Sequence, residues 1–222
     1  MYIVIDRREI VSEGYVSGFD REGISAQGFA PEHFRDWIST APERELDCLE
    51  AVLLGECDER DSLPRAVRDK ILVPIIALNE RSSLEETLQL FASGVDDVVR
   101  KPVHIREIVV RVSAIRRRTE VSSETSSYNE LVVYHDGRDP EINGEVLVLP
   151  RRERRILEYL MKNRGRRATK EQIFNTIYGV FNENAEESVI ESHISKLRKK
   201  LRDRMGYDPI DSKRYLGYRI GE

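Results

Sequence analysis

Cysteine is scarce: the 222 residues contain 2, Cys48 and Cys57. The two have neither a paired motif nor metal-ligand spacing, so neither a disulfide scaffold nor a thiol zinc site is expected. Both read as isolated buried or half-buried thiols of a cytoplasmic protein. Long apolar runs are missing too. None approaches the roughly 20 residues that a membrane span requires, and no membrane contact is expected. The opening MYIVIDRREIV breaks into charge after Ile5, which marks a buried strand and not a secretory signal. Low hydrophobicity, the signature of disorder, is also absent: 40% apolar with 34% charged residues is a globular balance. A chain of this length suits two domains of about 100 residues, each able to bury a core.

Charge is unevenly divided. Residues 1–130 carry 17 Lys and Arg against 25 Asp and Glu, a net of −8, while residues 131–222 carry 19 against 15, a net of +4. An acidic half joined to a basic half suggests that the basic half meets a polyanion.

In the first half, short apolar runs alternate with helical patterns. Strands are expected at 2–5, 24–27, 50–55, 71–78 and 97–100, and helices at 7–17, 31–38, 84–91 and 104–118. Pro31 followed by Glu32 is a helix start. Ser82 or Ser83, each with Glu three positions on, can form a capping box. Gly94 should end that helix. None of the strands alternates strictly, which argues a doubly wound parallel sheet covered on both faces. In such a sheet function gathers at the carboxyl ends of the strands, here Asp6, Gly55, Asn79 and Lys101-Pro102.

The stretches VPIIALNE and GVDDVVRKPVHIREIVVRVSAIRRR resemble the fourth strand and the end of a response-regulator receiver domain. That resemblance implies phosphoryl transfer to an aspartate after the third strand. It also implies an acidic pair that holds Mg²⁺, a hydroxyl after the fourth strand, and a Lys before Pro. Lys101 matches the Lys and Asp6 one acid of the pair. Ile5 stands for the other acid, Asn79 for the hydroxyl, Gly55 for the phosphoacceptor, and Val98 for the aromatic switch residue. Glycine has no nucleophile, and one carboxylate is a poor Mg²⁺ site, so the expectation is a degenerate, chemically silent receiver with no metal, no cofactor and no enzymatic activity. The alternative is phosphorylation at Glu56 or Asp58. The same resemblance implies a homodimer through the fourth helix, fifth strand and fifth helix. Asp97 with Arg111 matches one charged pair of that interface, and Glu107 the acidic member of another, although an ordinary surface charge explains Glu107 equally well. Thr87 and Ala92 stand where the fourth helix would carry charge.

Residues 119–130, TEVSSETSSYNE, read as a flexible polar linker between a receiver at 1–118 and a second domain at 131–222. Asp136-Gly137 and Asn143-Gly144 are hairpin signals between β-prone runs. A helix at 151–163 follows, with Ile156, Leu157, Leu160 and Met161 inward. Thr169 to Gln172 is a capping box for a helix that ends near Tyr178-Gly179. A third helix is capped within Asn184–Glu187, and 210–220 reads as a terminal hairpin with a basic tip.

That third helix runs through SVIESHISKLRKKLR. At 100° per residue Ile190, Ile194, Leu197 and Leu201 share one face. Ser188, Ser192, Ser195 and Lys199 lie opposite, flanked by Glu191, Lys196, Arg198 and Arg202. The pattern alone fits a solvated amphipathic helix or one that lies on a polyanion, where small hydroxyls permit close approach.

SVIESHISKLRKKL followed by RYLGYRI resembles the winged-helix DNA-binding domain of OmpR/PhoB-type response regulators, with Tyr215 replacing the first wing glycine. The resemblance implies an α+β winged helix whose third helix enters the major groove of double-stranded DNA and whose wing reaches the minor groove. Ser188, Ser192, Ser195 and Lys196 are then candidates for base contact. His193, Arg198 and Lys199 would clamp phosphates, and Lys213 and Arg214 would serve the wing. Packing on a neighbouring turn is the other reading of His193, and Arg151, Arg152, Arg154 and Arg155 read as a solvated face. A receiver without its acceptor joined to this domain resembles the atypical flagellar regulators of the FtcR/Rem type. That implies a phosphorylation-independent transcriptional activator of flagellar genes, with RNA polymerase as a partner.

Overall fold

The computed structural model describes residues 1–81, 83–119, 125–181 and 186–221. They fall into two compact units, Met1–Thr119 and Glu120–Glu222. In the first unit the elements run β1 (Tyr2–Ile5), α1 (Glu9–Arg21), β2 (Ala26–Phe29), α2 (Pro31–Thr40), α3 (Glu43–Leu46), β3 (Ala51–Leu54), α4 (Leu63–Arg68), β4 (Ile75–Asn79), α5 (Leu84–Ser93), β5 (Asp97–Arg100) and α6 (Ile105–Thr119). The strands form one parallel sheet in the order β2-β1-β3-β4-β5. Every residue of β1, β3 and β4 is buried, because both faces are covered and alternate side chains point to opposite sides. Tyr2, Val4, Leu53 and Ile76 pack with Phe19 of α1 and Ile108 and Val112 of α6. Phe34 and Ile38 of α2 and Leu63 and Val67 of α4 are buried as well.

Several local signals act as written. Ser83 Oγ accepts from the backbone N–H of Glu86 at 3.2 Å, while Ser82 lies outside the described residues. Gly94 closes α5 in the left-handed conformation, φ 105°, where a side chain is strained. Other boundaries move. The second strand lies at 26–29 instead of 24–27, because pairing with β1 puts Ala26 beside Tyr2 and Phe29 beside Ile5. Partner geometry here overrides weak local β-preference. The fourth strand starts at Ile75 and not at Ile71. Ile71 N–H bonds back to Val67 O as α4 ends, and α4 itself gave too short an apolar pattern to be read.

The second unit runs β6 (Thr125–Tyr128), β7 (Leu131–Tyr134), β8 (Glu141–Ile142), β9 (Glu145–Val146), α7 (Arg151–Lys162), α8 (Lys170–Tyr178), α9 (Val189–Met205), β10 (Ile210–Lys213) and β11 (Gly217–Ile220). An antiparallel sheet β6-β7-β8-β9 precedes three helices and the β10-β11 hairpin. The expected linker is corrected here. Thr125–Tyr128 is a strand paired with β7, and Tyr128 packs on the core of this unit. Residues 120–124 of that stretch lie outside the described residues. Asn143 and Gly144 both have positive φ, 53° and 79°, as a tight hairpin turn between β8 and β9 requires. Asp136-Gly137 instead sits in the longer β7-β8 connection, where Asp136 accepts from Arg138 N–H at 3.1 Å.

Ile190, Ile194, Leu197 and Leu201 are the buried residues of α9. They join Ile156, Leu157, Leu160 and Met161 of α7 and Ile173 and Ile177 of α8. Each such side chain stabilises by about 1.5–3 kcal/mol, more than helix propensity supplies. Both halves of the Thr169–Gln172 capping box form. Asn184 and Ala185, expected within the cap of α9, lie outside the described residues.

Candidate nucleic-acid interface and receiver-like pocket

With its apolar stripe inward, α9 turns Ser188, Ser192, Ser195, Lys196 and Lys199 to the exposed side. Lys196 and Lys199 make no side-chain hydrogen bond or ion pair among the described residues. Ser188 Oγ donates to Glu186 Oε2 at 3.2 Å. Two residues expected at phosphates are engaged within the protein. His193 shares a 2.9 Å hydrogen bond with Tyr178 Oη. Burial, helped by Arg152 and Lys196, lowers its pKa, so the imidazole stays neutral near pH 7. Arg198 donates to Ile210 O and pairs with Asp208, its Nε 3.3 Å from Oδ2. It ties α9 to the start of the hairpin. The α7 arginines are also used internally: Arg154 pairs with Asp139 at 3.3 Å, and Arg152 lies 4.7 Å from the Tyr178 ring centroid.

Two ion pairs join α9 to the helices beside it. Lys200 Nζ lies 2.8 Å from Oε2 of the buried Glu153 on α7. Lys170 at the start of α8 pairs with Glu191. Beside α9, the hairpin is clamped to Ala168 by Ala168 N–H to Tyr218 O, 2.8 Å, and Tyr218 N–H to Ala168 O, 2.9 Å. Only glycine fits at 217, since a Cβ there would lie 1.9 Å from Ala168 O. Lys213, Arg214 and Tyr215 at the hairpin tip are exposed.

The strand ends of the first unit do converge. Asp6 is 2% exposed and accepts from Lys101 Nζ at 3.1 Å, Arg8 Nε at 3.2 Å and Glu56 N–H at 3.2 Å. Burial acts to raise the Asp6 carboxyl, but the Arg8 and Lys101 hydrogen bonds outweigh it and hold the group below its ordinary value. Gly55 faces Asp6 so closely that a Cβ would lie 2.3 Å from Oδ2. Asn79 receives Arg60 Nη2 at 2.6 Å, and the same nitrogen reaches Leu78 O at 2.9 Å. Arg60 Nη1 pairs with Glu56 at 3.3 Å and with Glu86 of α5.

These residues do not fit Mg²⁺. Asp6 is the one buried carboxylate there. Glu80 converges on the same cations but is exposed and paired with Arg8, so a guanidinium and the Lys101 ammonium take up the oxygens that the ion would need in octahedral array. Among the described residues no group of three or more His, Cys, Asp or Glu side chains could hold a metal. Glu56 is held by Arg60, and the Asp58 side chain is 95% exposed beside Arg7. Burial pushes the neighbouring Cys57 thiol up to about 11, which leaves little thiolate near neutral pH. Sequence reading found Asp6, Gly55, Asn79 and Lys101 but missed Arg8 and Arg60. The proximity of Arg8 to Asp6 in sequence was a usable signal; Arg60, folded back from the loop after β3, gave none.

The residues expected at a dimer interface form a triad inside one chain. Arg111 donates to Asp97 at 2.9 Å and to Glu107 at 2.8 Å. The Glu107 and Asp97 hydrogen bonds raise the Arg111 pKa. No described helix is long and apolar enough to cross a membrane.

A receiver-type parallel sheet followed by a winged helix with a basic exposed face defines a response regulator. The chain belongs to the OmpR/PhoB-type response regulators, a family of transcriptional regulators and not of enzymes. Residues 144–220 match the family described as "Transcriptional regulatory protein, C terminal". The chain is 56% identical over 224 residues to the flagellar transcriptional regulator FtcR of Brucella abortus (strain 2308), covering 99% of each. It is 30% identical over 223 residues to the transcriptional regulatory protein QseB of Escherichia coli O157:H7, covering 99% of this chain and 98% of that one. A shorter match, 35% over 133 residues, is to the cell cycle transcriptional regulator CtrA of Caulobacter vibrioides (strain NA1000 / CB15N), covering 60% and 57%.

Proposed function

We propose that this chain is a sequence-specific DNA-binding activator of flagellar genes that works without phosphorylation. The exposed serine-lysine face of α9 beside the clamped basic hairpin supports DNA binding. Ser188, Ser192, Ser195 and Lys196 lie at the groove floor, Lys199 at phosphates, and Lys213 and Arg214 on the hairpin side. Serine reads bases ambiguously, so hairpin contacts, half-site spacing and DNA shape contribute to specificity. The closeness of Gly55 to Asp6 is the observation that carries phosphorylation independence. It leaves no volume for an acceptor side chain, and Arg8 and Lys101 supply the positive charge that a metal would bring.

The domain division is a receiver at 1–118 and a DNA-binding domain that begins near residue 125, since β6 belongs to its sheet. The receiver is a dimerisation scaffold in the cytoplasm. Its α5-β5-α6 face carries exposed Leu84, Leu88, Phe91 and Val110 beside the Asp97-Arg111-Glu107 triad, which supports a homodimer with more apolar contact than charge pairing. RNA polymerase is the partner at promoters. The flagellar assignment rests on the FtcR relative.

Intact mass after incubation with acetyl phosphate and Mg²⁺, together with genome-wide footprinting of the untreated protein, tests the reading. Selective footprints at flagellar promoters without a phosphoryl mass gain are expected. A stoichiometric gain lost on mutating Glu56 or Asp58 would overturn phosphorylation independence, and unselective footprints would overturn the DNA reading.

A further inference from the structure

The hairpin tip holds a residue that stability does not explain. Lys213 O accepts from Leu216 N–H at 3.0 Å, which makes a turn with Arg214 and Tyr215 at its centre. Tyr215 has φ 63°, a left-handed conformation that costs an L residue about 1–2 kcal/mol and that glycine adopts freely. The residue is 87% exposed, so burial returns almost nothing. Glycine would serve the fold better.

The surroundings point outward. The Arg214 guanidinium carbon lies 4.9 Å from the Tyr215 ring centroid, so a cation and an aromatic plane are displayed together. Below them the stem is electrically settled: Asp211 pairs with Arg219 at 3.1 Å and with Arg167. The stem is also fixed to Ala168, as described above, so the tip cannot swing away from the side on which α9 displays its lysines.

We propose that Tyr215 is a specificity-determining residue, in which the Arg214-Tyr215 pair enters the minor groove next to the α9 site and prefers a narrow, A·T-rich step. This rests on the DNA-binding reading above and goes beyond it, because that reading uses only the hairpin cations. Arg214 is drawn to the deepened negative potential of a narrow groove. The Tyr215 ring lies against the deoxyribose wall and excludes the exocyclic amino group of guanine. The strained backbone then aims the ring along the groove instead of back at the stem.

The test uses the full chain and a 30-bp duplex recovered by selection with the wild-type protein, compared with a random duplex at about 150 mM salt. Tyr215→Gly relieves the backbone, and Tyr215→Asn keeps the left-handed turn without a ring. Both should lose on the order of tenfold in affinity for the selected duplex and less than about twofold for the random one. Tyr215→Phe should keep the affinity. Replacing the wing-facing A·T step by inosine·cytosine, which lacks the amino group, should be tolerated by wild type, and G·C should not. Amide-exchange protection of β10 and β11 in each variant must match wild type, which separates lost contact from a lost hairpin. Unchanged affinity in Tyr215→Asn, or equal tolerance of G·C, overturns the proposal and leaves the DNA reading intact. A wild type that does not prefer the selected duplex overturns both.

Discussion

Gly55 and Asp6 meet so closely that a Cβ on the glycine would lie 2.3 Å from Asp6 Oδ2 and 2.8 Å from Ile5 O. A side chain at position 55 would therefore have to displace the Asp6 carboxylate or the β1 backbone. Gly55→Asp should not restore phosphorylation. It should instead destabilise the first unit by about 2–4 kcal/mol, through overlap and a second carboxylate against Asp6. Urea unfolding followed by Trp37 fluorescence reads the loss. A mutant as stable as wild type that gains a phosphoryl group would show that the pocket opens.

His193 predicts how α9 responds to acid. Its folded pKa lies below the ordinary 6.5 because it is buried and faces Arg152 and Lys196, against a weaker opposing pull from Glu153. The unfolded chain thus binds the proton more readily. Stability is complete above about pH 6.5 and is lost as pH falls through the folded value. Protection factors of the α9 amides, corrected for the intrinsic slowing of exchange in acid, should fall between pH 7 and pH 5, and His193→Phe should flatten that dependence. A mutant that keeps the wild-type pH slope would place the titration elsewhere.

Lys200 holds α9 against α7 by neutralising Glu153, which is 4% exposed. Removing one partner leaves a buried charge. Lys200→Met should therefore cost about 2–3 kcal/mol, and Glu153→Gln in the same chain should recover part of it. A double mutant whose loss equals the sum of the two singles would mean that the pair is not coupled.

Lys196 stands exposed at mid-helix. Lys196→Ala should weaken binding to selected DNA by about tenfold and to random DNA by less, as a base contact does. Equal losses on both would assign it to the phosphates.

The receiver side shows where sequence reading stops. Asp6, Gly55, Asn79 and Lys101 were identifiable because each ends an apolar strand, and strand ends of a parallel sheet share one edge. That Arg60 folds back to Asn79 and Glu86 depends on a loop path that no periodicity encodes. Residues 125–128 misled for a related reason. Their polar composition reads as linker, yet an edge strand needs one apolar side chain inward, and Tyr128 supplies it.

The sequence by itself determined the α9 stripe, the Thr169 capping box, the Asn143-Gly144 turn and the glycine at the end of the third strand. Each is a property of a few neighbouring residues and the period of one element. Tertiary structure alone decided that β2 shifts by two residues, and that His193 and Arg198 take hydrogen-bond partners within the protein. It also decided that Tyr215 stays strained and exposed. Those outcomes turn on which partner from a distant part of the chain reaches a side chain first, and that competition is settled only when the core has closed.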